Sequence, residues 1–324
     1  MTRSIAHFAA AVCLLGVAEA GAQQQPQQQQ QPAPVFRGRG DAVRVFATVT
    51  DRDGRLVPTL TQGDFEVRDE GKPQPIVLFD NSPQPIRLMV MLDVSGSMEG
   101  NLPLLRAAAA ELFARLRPDD LARVGTFGRE VEISDTFTRD ARTLGGALPD
   151  TIEPDAPTPL WRALDQAIEA FSSEGDERRV VLVLSDGKDS GPFNFRQPVA
   201  SQAEVIDRAR QEDVMVYAIG LRSRRRQPMM PGMGTAGLRA ALLDDLPDPG
   251  LARVAEESGG GYTEIRPGED LAEAFARVAD ELHGQYLLGF APPKRDGKTH
   301  DVEVRVTAKG LKARAKKSYV APKE

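Results

Sequence analysis

The sequence predicts an α/β protein: a doubly wound, mainly parallel sheet inserted between β segments that form a small β-sandwich-like module. Three observations lead there. Three runs of strand length, residues 86–92, 180–184 and 214–220, are almost wholly apolar, and with a further core strand at 123–127 they are separated by stretches of helical periodicity. Such runs fit strands buried on both faces, and strand–helix alternation marks a parallel sheet covered by helices. Further β patterns lie before residue 85 and after residue 284, each with few strands of its own. The length of 324 residues suits two domains, and 41% hydrophobic with 27% charged residues is an ordinary globular composition. A net charge of −6 lacks the basic footprint expected of a nucleic-acid-binding chain.

Residues 1–22 read as a secretory signal peptide. Arg3 starts it, 5–18 is apolar, and Ala18-Glu19-Ala20 and Ala20-Gly21-Ala22 are small-x-small cleavage sites. The apolar run is short for a membrane span of ~20 residues, so export with no span after cleavage is expected. Residues 23–41 are a Gln/Pro-rich linker whose low complexity cannot build a core.

Residues 42–84 form the N-terminal β module. Val43, Val45, Ala47 and Val49 alternate with Arg44, Phe46, Thr48 and Thr50, a strand with one apolar face. Asp51-Arg52-Asp53-Gly54 suits a turn, because Asp and Gly tolerate left-handed conformations. A calcium loop starting there would need an acidic residue at its end, where Gln62 stands. Strands follow at 64–68 and 76–79, separated by Asp69-Glu70-Gly71-Lys72.

The α/β domain is expected over residues 85–284. After its first strand, 104–116 is helical, with Leu105, Ala108, Ala109, Leu112 and Leu116 on one face and Pro118 just beyond. The strand at 123–127 forms an edge hairpin with 131–133. A helix from Leu160 to about Ser172 turns Leu164, Ala167, Ile168 and Phe171 inward. The strand at 180–184 ends in Ser185-Asp186-Gly187, and Ser201 caps a helix leading to the strand at 214–220. Residues 222–250 interrupt this rhythm as a mobile insertion, with a basic run and then a Met/Gly/Pro-rich one. Helices at 251–257 and 270–283 flank a short strand at 262–265. Strands at 286–290 and 302–306 and a basic final strand then make up residues 285–324, expected to pack with the N-terminal β module.

The chemistry is concentrated where the first buried strand ends. Asp93, Ser95 and Ser97 place three oxygen side chains at alternate positions, with Gly96 letting the backbone turn. Oxygen ligands at the carboxyl end of a buried parallel strand suit a hard cation such as Mg²⁺, and open α/β sheets bind ligands there. Thr158, on a loop entering a helix, and Asp186, at the end of another core strand, are the further candidates. The single cysteine, Cys13, and one of three histidines, His7, fall in the signal segment, leaving His283 and His300. Disulfides, thiolate sites and histidine-based catalysis are thereby set aside. No Gly-x-Ser-x-Gly elbow surrounds Ser95, which speaks against a metal-assisted hydrolase.

Asp93-x-Ser95-x-Ser97 after a buried strand, then Thr158 on its loop, then Asp186-Gly187 after a core strand, resembles the von Willebrand factor type A (VWA) domain. The resemblance covers about residues 84–283. It implies a metal-ion-dependent adhesion site (MIDAS) that binds Mg²⁺, or Mn²⁺ or Ca²⁺, through Asp93, Ser95, Ser97, Thr158 and Asp186. Ser95 and Ser97 resemble direct hydroxyl ligands, Thr158 a ligand direct or through water, and Asp93 and Asp186 carboxylates acting through water. A partner protein's acidic side chain would fill the open coordination position, with Glu99, Lys188 and Asp189 as rim residues. Pro157-Thr158-Pro159 departs from the usual Gly-Thr and stiffens that loop. The flanks, including Asp64-Phe65-Glu66-Val67 and Tyr286-Leu287-Leu288-Gly289-Phe290, resemble a bacterial exported VWA-related family. The implied function is non-enzymatic, metal-dependent protein binding in the periplasm or outside the cell. The alternatives are a structural envelope protein with an idle site, and a metal-assisted hydrolase.

Overall fold

A computed structural model describes residues 42–171, 177–191, 198–222 and 246–323. The signal segment, the Gln/Pro-rich linker and residues 223–245 of the insertion lie outside them. Three sheets are built from strands β1 (Val43–Thr50), β2 (Phe65–Asp69), β3 (Lys72–Gln74), β4 (Ile76–Asp80), β5 (Ile86–Asp93), β6 (Leu121–Phe127), β7 (Val131–Ile133), β8 (Arg178–Ser185), β9 (Val214–Leu221), β10 (Tyr262–Ile265), β11 (Tyr286–Phe290), β12 (Thr299–Val306), β13 (Lys312–Arg314) and β14 (Ser318–Val320).

The central sheet has the order β10-β9-β8-β5-β6-β7, parallel throughout except for the antiparallel edge strand β7. Its apolar runs resolve into two alternating sets, because successive side chains of a strand point to opposite faces. Ile86, Leu88, Val90 and Leu92 of β5 pack on one side with helices α1 (Leu102–Ala114), α2 (Ala141–Gly146) and α6 (Leu271–His283). Met89 and Met91 pack on the other with α3 (Leu160–Glu169), α4 (Gln202–Gln211) and α5 (Pro249–Ser258). This is the doubly wound arrangement, and the helical faces expected from the sequence are the buried ones, except that Leu116 lies past the end of α1 and is half-buried.

The flanking segments build two four-stranded sheets, ordered β13-β1-β11-β4 and β14-β12-β2-β3. Each sheet mixes strands from before and after the α/β domain: β1 lies between β11 and β13, and β12 between β14 and β2. Their shared core holds Val43, Val45, Ala47, Val49, Val67, Leu288 and Tyr319. Phe65, Phe79 and Tyr286 form an aromatic cluster with ring centroids 4.9–6.1 Å apart. The β2–β3 hairpin turns on Glu70 and Gly71, both at positive φ (47° and 73°), as a two-residue turn that matches strand twist requires.

One expectation changes in kind. The polar face of β1 is not a solvent face, since Thr48 is as buried as Val49. The Thr48 hydroxyl donates to Glu281 Oε1 of α6 (3.1 Å) and accepts from Gln285 Nε2 (2.7 Å). Gln285 Nε2 also donates to the Tyr217 hydroxyl of β9 (3.1 Å), and Tyr217 in turn donates to Glu281 (2.5 Å). These bonds join the sandwich to the end of the central sheet where β5 and β8 begin.

Candidate metal centre

The opposite end of that sheet carries the residues singled out for a cation. β5 has eight residues and so runs roughly 25 Å from its start at Ile86 to Asp93. Asp93 closes the strand fully buried, and the chain enters a 3-10 helix, Gly96–Asn101, that leads into α1. The backbone N–H of Ser95 donates to Asp93 Oδ1 (2.8 Å), which fixes the carboxylate as the chain turns. A Cβ on Gly96 would stand 1.7 Å from the Pro154 carbonyl oxygen, so only glycine admits this approach to the loop before Thr158.

Four of the five residues are linked directly. Ser95 Oγ and Ser97 Oγ lie 3.0 Å apart, and Ser97 Oγ donates to Asp186 Oδ1 (2.6 Å) across 89 residues of sequence. Asp93 Oδ2 accepts from Ser185 Oγ, the residue preceding Asp186 at the end of β8 (2.5 Å). Thr158 is buried against Gly187, where a Cβ would meet Thr158 Oγ1 at 2.9 Å. Its backbone is tied to the Asp186 loop in both directions: Thr158 N–H donates to Ser190 Oγ (2.8 Å), and Ser190 N–H to the Thr158 carbonyl (3.0 Å).

The donor set is two carboxylates and three hydroxyls, all hard oxygens. Among the described residues no three His, Cys, Asp or Glu side chains gather as a metal-holding group, so hydroxyls are essential to any cation site here. Burial pushes the Asp93 carboxyl up to about 7, and the Asp186 charge adds to this, while hydrogen bonds from Ser185 and Ser95 oppose it. Two carboxylates turned into one buried corner are costly without a positive charge between them. Residues and chemistry therefore fit a hard divalent cation.

The three rim candidates part company. Glu99, on the 3-10 helix, and Lys188 are exposed. Asp189 is half-buried and does not present its oxygens outward. Its carboxylate accepts the N–H groups of Trp161 at the start of α3 (3.3 Å) and of Gly191 (3.2 Å). Its own N–H donates to Asp248 Oδ2 before α5 (3.1 Å). Burial, and secondarily the Asp248 charge, push its pKa up. Asp189 holds loops together, because helix N-terminal donors need acceptors. Ser190 and Asp248 are not legible in the sequence, and Ser185 and Gly187 stand out there only as the neighbours of Asp186.

A family model of the von Willebrand factor type A domain matches residues 88–188, which hold all five candidates. Residues 88–188 thus match a VWA domain, a match that covers less than half of the chain. No curated protein matches it. Among solved structures it is similar to a von Willebrand factor type A protein from Catenulispora acidiphila (14% identity, 89% of this chain and 76% of that one, TM-score 0.45). It is also similar to the conserved hypothetical protein BatB from Bacteroides thetaiotaomicron (15% identity, 61% and 97%, TM-score 0.44). A third is proximal thread matrix protein 1 from the mussel byssus with a zinc-occupied MIDAS motif (18% identity, 67% and 50%, TM-score 0.43). VWA domains are in general protein-interaction modules. Among the described residues no helix is long and apolar enough to cross a membrane.

Proposed function

We propose that this chain is a metal-dependent protein-binding module of the adhesion or scaffold type. In this reading Asp93, Ser95, Ser97, Thr158 and Asp186 hold Mg²⁺, or Mn²⁺ or Ca²⁺, and the cation accepts an acidic side chain of a partner protein. The observation that carries it is the junction of two distant loops, Ser97 Oγ to Asp186 Oδ1 at 2.6 Å, beside the buried Asp93. Ser95 and Ser97 supply neutral oxygens. Asp93 and Asp186 are held by Ser185, by the Ser95 N–H and by Ser97, and balance the charge. A ligand set with few direct carboxylates leaves a cation electrophilic toward a further oxygen donor. Glu99 and Lys188 stand at the exposed rim and select among partners.

The module is proposed to be non-enzymatic. Both histidines beyond the signal segment are engaged away from the site. His283 Nε2 bonds Asp120 Oδ2 (2.8 Å), and His300 bonds Asp69 and Asp296 within the sandwich (3.2 Å each). The signal-like leader supports export, periplasmic or extracellular, and the flanking β patterns support membership of the bacterial exported VWA-related group.

Thermal melting tests the reading. Millimolar Mg²⁺ or Mn²⁺ should raise the Tm of metal-stripped protein, since a ligand bound only by the folded state stabilises it by about 2.7 kcal/mol at a hundred times its Kd. The rise should vanish in Asp93→Ala. A wild-type Tm that ignores Mg²⁺, Mn²⁺ and Ca²⁺ alike would refute the metal site.

A further inference from the structure

A second polar site lies at the other end of the central sheet. Arg178 opens β8 and is nine-tenths buried. Its Nη1 donates to Gln285 Oε1 (2.6 Å) and its Nη2 to the Leu282 carbonyl (2.7 Å), both neutral acceptors. Its Nε is buried and has no hydrogen-bond partner among the described residues. The ring of Phe46 lies against the guanidinium, 4.7 Å from ring centroid to Cζ. Burial pushes this pKa down to about 10, so the group remains a cation at neutral pH. No described carboxylate makes a salt bridge with it; Asp120, already bonded to His283, acts on it only at longer range, and a buried charge without a close counter-ion is costly.

Beside Arg178 is a cleft of about 170 Å³ between the VWA domain and the sandwich. Its lining includes Arg44, Arg179 and Lys316 as well as Glu177, Glu212 and Asp213. The three carboxylates are already taken: Glu177 by Arg87 (3.1 Å), Glu212 by Arg179 (3.5 Å) and Asp213 by Lys316 (2.5 Å). Arg44, two residues before Phe46 on the same face of β1, makes no ion pair with any described residue. Two guanidinium groups, one from each module, thus line one cleft without a salt-bridge partner among the described residues.

We propose that this cleft is an anion-binding site for a small oxyanion, phosphate or carboxylate, held between Arg44 of the sandwich and Arg178 of the VWA domain. Guanidinium groups favour oxyanions through charge-assisted hydrogen bonds. The occupant would bridge β1 to β8 and stabilise the junction of the two modules. The site lies at the opposite sheet end from Asp93 and is independent of the proposed cation.

Calorimetric titration of the full chain tests this, with divalent metal removed on a chelating resin and ionic strength held constant with chloride. Inorganic phosphate and acetate are the two probes. Saturable heat with phosphate alone assigns a phosphate site, and heat with acetate assigns a carboxylate site. Either supports the proposal if Arg44→Gln, a partly exposed position whose replacement should leave the fold intact, weakens binding about tenfold, the loss expected from one charge-assisted hydrogen bond. Asp93→Ala should bind the same probe unchanged. No saturable heat with either probe, or undiminished binding in a folded Arg44→Gln, would overturn it.

Discussion

Asp120 shows how a single buried carboxylate can be held ionised. Burial raises its pKa, but hydrogen bonds from His283 and from the Arg117 and Ile86 N–H groups outweigh it, so the net shift is downward. A carboxylate whose folded pKa lies below its unfolded value adds stability above the unfolded pKa and loses it as pH falls through the folded one. Acid titration followed by circular dichroism should therefore show wild type losing stability below about pH 4 more steeply than Asp120→Asn. Parallel acid limbs would show that Asp120 contributes nothing by its charge. At this scale the sequence was legible in part. Asp93, Ser95 and Ser97 stood out because alternate oxygens follow a buried strand within five residues. Asp120 and Arg178 did not, because their partners, His283 and Gln285, lie more than a hundred residues away.

At the scale of the element, the loop after β8 does more than deliver Asp186. Ser190 and Thr158 exchange two hydrogen bonds, and Asp189 accepts from the first turn of α3. The loop thereby positions the Thr158 hydroxyl from outside any proposed ligand set. Ser190→Ala should lower Mn²⁺ affinity about tenfold, as loss of an outer-shell partner does, while leaving the metal-free Tm nearly unchanged. A fall in metal-free Tm with unaltered affinity would make the contact merely structural. Element identities were readable where periodicity was strong, as in α3 and α6. Boundaries were less so. α1 begins at Leu102, before the expected Leu104, because Pro103 is tolerated in a first turn that needs no N–H. α2 was not foreseen, since Ala141–Gly146 is short and ends in two glycines, and its N-terminus is fixed by the Asp140 side chain bonding Arg142 and Thr143 N–H.

At the scale of the whole molecule, the two flanking segments form shared sheets. β1 is hydrogen-bonded on both edges to strands from the chain's last forty residues, and β2 pairs with β12. A chain ending at residue 284 should therefore leave residues 42–84 open to limited proteolysis, while the VWA core around Val90 and Leu182 resists. Full protection of residues 42–84 in that chain would show that they fold alone. The pairing was foreseeable because each segment had too few strands to cover its own edges. The Thr48–Glu281–Tyr217–Gln285 network was not. Short polar side chains on an alternating strand look the same whether they face water or another domain.

This interleaving also orders events in time. During synthesis β1, β2 and β4 emerge first, yet β11, the partner of β1 and β4, and β12, the second partner of β2, appear only after the whole VWA domain, and Thr48 waits 233 residues for Glu281 in the last helix of that domain. Contacts that distant are slow to form, and strands left waiting expose edges that can pair with other chains. The central domain can fold early around its own parallel strands. The sandwich closes last, which makes the final strands the latch on maturation.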